Sequence, residues 1–203
     1  MMALKDKLCL FDANKQPQRG DIILSHENTI FSKLVQWITG SEWSHVSIYV
    51  GTLLFINNRI WRIPDTDEEI QHVIELNEEV KIIKDCVIGA VPKRGVSFTK
   101  FFEIENKAIY RVRDMPSEDI KKVIYFALDK LDHPYDYLQC LLLFYRIFVD
   151  MLTVYEGDPN PDKFICSELV AKAFLSVGIE FGNIVDNVLP GTIASSSLVM
   201  RIK

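Results

Sequence analysis

Basic charge is in short supply in this 203-residue chain: 23 Lys and Arg stand against 28 Asp and Glu, a formal net charge of −5 with a pI near 5.4. A nucleic-acid binder needs a basic face to meet phosphates, so the balance argues against that partner. Long apolar runs are also missing. No segment reaches about 18 uncharged apolar residues, so no transmembrane span is expected. Met1–Gln18 lacks the continuous apolar stretch of a secretory signal, so a cytoplasmic location is expected. The four cysteines, at positions 9, 86, 140 and 166, form no CxxC pair and read as free thiols rather than a disulfide framework. His26, His72 and His133 fall in no metal-ligand spacing with cysteine or carboxylate, and no glycine-rich phosphate loop occurs. With 48% hydrophobic and 25% charged residues, what is present is an ordinary globular composition.

The apolar periodicity gives the elements. Ile22-Ile23-Leu24 reads as a short buried strand, and Ile30 to Ile38 as a helix ended by Gly40. From Trp43 to Gly51, Val46, Ile48 and Val50 alternate with His45, Ser47 and Tyr49, the period of a half-buried strand. Further strands are expected at Arg59–Ile63, His72–Leu76 and Lys107–Arg113, with Asp65–Glu69 as a solvated loop; Val80–Val91 carries no clear signal. Helices are expected from Pro116 to about Leu131, from Leu138 to Tyr155 and from Phe164 to Gly178. No repeat or low-complexity segment interrupts them, and a single α+β domain over residues 1–203 is the economical reading.

Two residues stand out for chemistry. Cys166 lies in the first turn of an expected helix, where the dipole and unpaired N–H groups favour thiolate; taken by position alone, a small buried residue is the plainer reading. His45 lies on the strand face opposite the apolar positions. A cysteine nucleophile needs such a histidine to hold its proton, and a third polar group to orient it. Glu75 is the candidate third member if its segment is a strand beside that of His45. Asp136, after His133-Pro134-Tyr135, fits the N-cap of the following helix.

Taken in order, Arg19 to Leu24, Ser44 to Gly51, Val73-Ile74-Glu75, Gly95-Val96-Ser97-Phe98, Pro134-Tyr135-Asp136-Tyr137 and Phe164 to Val170 resemble the permuted papain-like amidases of the YiiX/YaeF type, over roughly residues 18 to 195. These are circularly permuted relatives of NlpC-type peptidases, related also to lecithin:retinol acyltransferase. The order carries the likeness: His45 precedes Cys166 by 121 residues, the reverse of unpermuted papain-like enzymes. The resemblance implies a small antiparallel, barrel-like sheet packed against helices. It implies cysteine-dependent hydrolysis of an amide by Cys166, His45 and Glu75, with Tyr135, Ser167 and the Cys166 backbone N–H supporting substrate or oxyanion. No metal or organic cofactor is implied. The expected substrate is a small peptide, amide or lipid; a lipid-directed acyltransferase or lipase and an inactive groove-binding module are the rivals. The expected helix from Leu138 is so apolar that Leu143, Phe144, Ile147 and Met151 could face lipid or a second subunit, giving peripheral lipid contact or an oligomer.

Overall fold

The strand that begins at His45 is the centre of the sheet. In the computed structural model, which describes residues 16–57, 60–77, 79–149, 162–183 and 185–203, β2 (His45–Ile56) pairs antiparallel with β1 (Ile22–Ser25), β3 (Ile60–Arg62) and β4 (Val80–Val91). One more antiparallel strand follows β4 and two follow β1, giving the order β5-β4-β2-β1-β6-β7, with β5 at Gly95–Lys100, β6 at Lys107–Val112 and β7 at Val199–Arg201. The path has two ends, β5 and β7, so the sheet is open and the expected barrel-like closure is not formed.

Six helices complete the described chain: α1 (Ile30–Thr39), α2 (Asp67–Leu76), α3 (Ser117–Asp129), α4 (Tyr137–Val149), α5 (Cys166–Leu175) and α6 (Pro190–Ser195). None is long and apolar enough to cross a membrane. The main core joins Val46, Ile48 and Val50 of β2 to Leu169, Val170, Ala173 and Phe174 of α5 and to Val123, Ile124 and Ala127 of α3. Burying these side chains, at about 1.5–3 kcal/mol for each large one, holds α5 against the sheet. On the other side Ile23, Val87 and Ile109 form a smaller cluster with Tyr49 and Phe101.

One expected strand is a helix. Residues 72–76 belong to α2, because Thr66 caps it by accepting the Glu69 N–H at 3.1 Å and Asp67, Glu68 and Glu69 fill its first turn. The acidic residues read as a loop are therefore a helix start. Ile70 and Val73, one turn apart, pack on Leu54 and Ile56 at the far end of β2. The segment without a clear signal is the long strand β4. Of the run from Leu138, α4 accounts for residues as far as Val149, and the rest lies outside the described residues.

Two polar devices fix the frame. Arg111 donates from Nε to Asp21 Oδ1 and from Nη2 to Asp21 Oδ2, both at 2.7 Å, and Asp21 is buried, so this bidentate pair locks β6 to the start of β1. Gly95, with φ +70°, opens β5 beneath the carbonyl of His133, which accepts the Val96 N–H at 2.9 Å. A Cβ on Gly95 would collide with that carbonyl. We predict that Gly95→Ala lowers unfolding stability by about 2–3 kcal/mol in denaturant titration, from left-handed strain and the backbone clash together. An unchanged midpoint would contradict this packing.

Candidate active site

Two chain segments meet at the start of α5. Residues 134–136 run alongside Phe164: Phe164 N–H donates to the Pro134 carbonyl at 3.2 Å and Asp136 N–H to the Phe164 carbonyl at 3.0 Å. Ile165 is extended and Cys166 begins the helix. The carboxylate of Glu168, buried, accepts the Ile165 N–H at 3.4 Å and the Lys172 ammonium at 2.6 Å, tying down the turn that carries Cys166. Asp136 Oδ1 accepts the Gln139 N–H at 2.8 Å, the N-cap role expected of it.

Cys166, His45 and Tyr135 line one cavity of about 440 Å³, together with Ser47, Gly89, Arg94, Phe31 and the carboxylates Glu27, Glu103 and Glu105 among others. Cys166 and His45 come together because β2 lies under α5: the backbone N–H of Val46, the residue after His45, points at the Cys166 sulfur, as do the N–H groups of Ser167 and Cys166. Tyr135 closes the cavity beside Cys166, with its hydroxyl 3.9 Å from the Cys140 sulfur. Ser167 is buried in the helix turn and contributes its backbone N–H rather than a wall of the cavity.

Burial dominates the electrostatics. It pushes the Cys166 thiol up to about 11, against the opposing pull of the three backbone N–H groups. The expectation that a helix start would depress this thiol is therefore overturned: desolvation of the anion outweighs the dipole. Burial, and then the nearby Arg94 guanidinium, bring His45 down to about 4. At neutral pH the cavity accordingly holds a neutral thiol and a neutral imidazole. Cys140 and Cys86 are also raised by burial, to about 11 and about 12.

Glu75 is not brought to this site. It lies exposed on α2, which packs at the opposite end of β2, and it does not line the cavity. The expectation of a strand beside His45 fails because residues 67–76 are capped as a helix. The two fallback residues do not replace it: His72 is exposed on the same helix, and Asp136 caps α4. Sequence reading placed Ser47 on the strand face of His45 but missed Arg94 and Gly89 as its neighbours. Arg94 follows Lys93 in a turn and carries no local sign of the histidine that the β4–β5 pairing brings near it.

The family model described as "Permuted papain-like amidase enzyme, YaeF/YiiX, C92 family" matches residues 16–189. The chain belongs to that family. It is a papain-like amidase of the permuted, cysteine-dependent type, in which the histidine strand precedes the cysteine helix. Comparison with curated proteins gives no match. Among solved structures, the amidase is similar to the crystal structure of metalloprotein yiiX from Escherichia coli O157:H7, with 19% identity, a TM-score of 0.56, and 92% of this chain and 96% of that chain covered. That likeness shows the fold. The metal belongs to the description of that protein; among the described residues of this amidase no three His, Cys, Asp or Glu side chains converge as a metal site.

The low value for His45 has a stability consequence. Unfolded histidine titrates near 6.5, so as pH falls below that value the unfolded chain takes up a proton that the buried ring refuses until about pH 4. Stability attributable to His45 is present above pH 6.5 and lost between there and pH 4, by up to about 3 kcal/mol. The denaturant midpoint of wild type should therefore fall on acidification across this window more steeply than that of His45→Gln. Parallel curves would contradict the buried neutral ring.

Proposed function

We propose that Cys166 is the nucleophile of this amidase and His45 its proton carrier. The observation that carries the reading is that Cys166 and His45 line one substrate-sized cavity where α5 packs on β2. Sγ attacks the amide carbonyl carbon while His45 takes the thiol proton. The carbonyl oxygen, carrying the negative charge, is held by the Cys166 backbone N–H at the start of α5. As the tetrahedral species collapses, the C–N bond breaks and His45 returns the proton to the departing amine. Water, deprotonated by His45, then hydrolyses the thioester and releases a carboxylic acid. Tyr135, on the cavity wall beside Cys166, bounds the substrate. Because Glu75 stands elsewhere, the working unit of the chain is a Cys–His pair.

With a panel of N-acyl amides, Cys166→Ser and His45→Ala should each lose at least about 10³-fold in kcat/KM, the scale seen when one member of a catalytic pair is removed. Wild type quenched during turnover should carry the acyl mass on the peptide containing Cys166. Full activity in Cys166→Ser, or an acyl group on Cys140, would overturn the assignment.

A second reading, an acyl-lipid substrate, is favoured by one observation. On α1, Ile30 is 89% and Trp37 72% exposed, and on α4, which packs against α1, Leu141 is 65% exposed beside Leu138 and Tyr145. Phe31 joins this apolar surface to the cavity and stands 6.3 Å, ring to ring, from Phe144. The surface is not built as the sequence suggested: Leu143 is buried and Phe144 half-buried, while the side chains of Ile147 and Met151 lie outside the described residues. An exposed patch rich in Trp, Tyr and aliphatic side chains suits a lipid interface. In co-sedimentation, wild type should pellet with zwitterionic vesicles and Trp37→Ser with Leu141→Ser should not. Equal recovery of both proteins in the supernatant would leave the soluble amide as substrate.

A further inference from the structure

The catalytic cavity carries an excess of negative charge. Glu27 follows β1, Glu103 ends the turn after β5 and Glu105 precedes β6, and these three carboxylates share the lining with a single cation, Arg94. All three are exposed, and among the described residues none makes an ion pair or a side-chain hydrogen bond. The lysine that follows them, Lys107, is engaged elsewhere: its ammonium donates to the Ile104 carbonyl at 2.6 Å and lies 4.6 Å from the centre of the Phe101 ring. The backbone sets two of the carboxylates on neighbouring chains. β1 and β6 pair as far as Ser25 with Lys107, the His26 N–H then donates to the Asn106 carbonyl at 3.3 Å, and Glu27 and Glu105 flank that link. Like charges placed on adjacent chains repel, and a cation from a ligand relieves them. A second, independent feature also calls for a ligand. Ser47, 1% exposed, stands on the His45 face of β2 and lines the same cavity with a hydroxyl that has no partner among the described residues.

The chain order gives the site a direction. Ser25 pairs across the sheet with His45, and no more than about 7 Å of chain separates Ser25 from Glu27. Glu27 therefore stands on the His45 side of the cavity, where the departing amine takes its proton. Arg94, near enough to His45 to bear on its charge, keeps a cation away from the ring itself, so the positive charge belongs at a distance from the scissile nitrogen. We propose that the cavity takes monoacylated diamines: the scissile N–H donates to Ser47 Oγ, and the second, protonated nitrogen lies at the carboxylates of Glu27 and Glu105. A spacer of about four carbons covers a distance of this order. Hydrolysis consumes one water and releases a carboxylic acid and the free diamine. The proposal rests on the Cys166–His45 reading and names its leaving group.

The test reads the charge of the cavity first, without turnover. Cys166 is labelled with aminoethyl methanethiosulfonate, a cation, and with sulfonatoethyl methanethiosulfonate, an anion. The modified peptide is mapped by mass, and each rate is divided by that of free mercaptoethanol. We expect the cation to be favoured at least about tenfold at low ionic strength, with the preference shrinking in high salt. Glu27→Gln with Glu105→Gln should lower the preference at least about threefold, and Arg94→Gln should raise it. No preference for the cation, or one that the double substitution leaves unchanged, would overturn the acidic subsite. In turnover, the N-acyl amide of putrescine is compared with that of n-pentylamine, in which a methyl group replaces the ammonium. The putrescine amide should lead at least about tenfold in kcat/KM, and Glu27→Gln with Glu105→Gln should remove the lead. Ser47→Ala should raise KM for the putrescine amide about fivefold, the worth of one hydrogen bond; an unchanged KM would take Ser47 out of the subsite. Equal hydrolysis of the two amides, or a lead that the double variant keeps, would overturn the diamine assignment. The two readings fail separately: a Cys166→Ser enzyme that still hydrolyses the putrescine amide ahead of the pentylamide counts against the thiol mechanism and for the subsite.

Discussion

Desolvation of the Cys166–His45 pair is the constraint on which the site depends. The sulfur sits where α5 meets β2, among apolar side chains that also make the core, and His45 is half-buried at the start of β2, between β1 and β4 in the sheet. Burial penalises the charged form of each group, so the thiol is raised and the imidazole lowered, and the proton stays on sulfur. In water this would be a poor nucleophile. In the cavity the same low dielectric magnifies whatever charge a substrate brings to these two groups. Backbone N–H groups of Val46, Ser167 and Cys166 already converge on the sulfur and need no rearrangement to hold negative charge there.

The rest of the fold holds this pair in place. Glu168 and Lys172 secure the first turns of α5, and Asp21 with Arg111 secures the strand next to His45. Gly95 lets β5 pass under His133 and so lays residues 134–136 along Phe164, which brings Tyr135 to the cavity. Truncating one partner of a buried ion pair strands the other charge, so these pairs specify geometry more than they add net stability.

Much of this was legible in the residues. The alternation from Val46 to Val50 gave β2 and the side on which His45 stands, and apolar spacing gave α5, which starts at Cys166 and not at the expected Phe164 because residues 164–165 run alongside residues 134–136. Asp136 was readable as a cap because its role is local. What could not be read was set by pairing across the sheet. Residues 72–76 look like a strand by composition, and only the Thr66–Glu69 cap, ten residues before the end of α2, makes them helical. β4 lacks alternation because its middle is buried on both faces, from Cys86 to Ala90. The neighbours of His45 come from that strand and its turn, so Gly89 and Arg94 had no signal in their own surroundings. The sign of the Cys166 shift was misjudged for a related reason: a helix dipole is a local property, whereas burial depends on everything packed above it.

The most direct measurement is the pH dependence of Cys166 alkylation by iodoacetamide, followed by peptide mapping in the ligand-free protein. A buried, neutral thiol beside a neutral imidazole predicts slow labelling at pH 7, rising toward a midpoint near 11, with little change in His45→Gln. Fast labelling with a midpoint below about 7 that collapses in His45→Gln would contradict the account, because it would mean a thiolate–imidazolium pair standing ready before any substrate arrives.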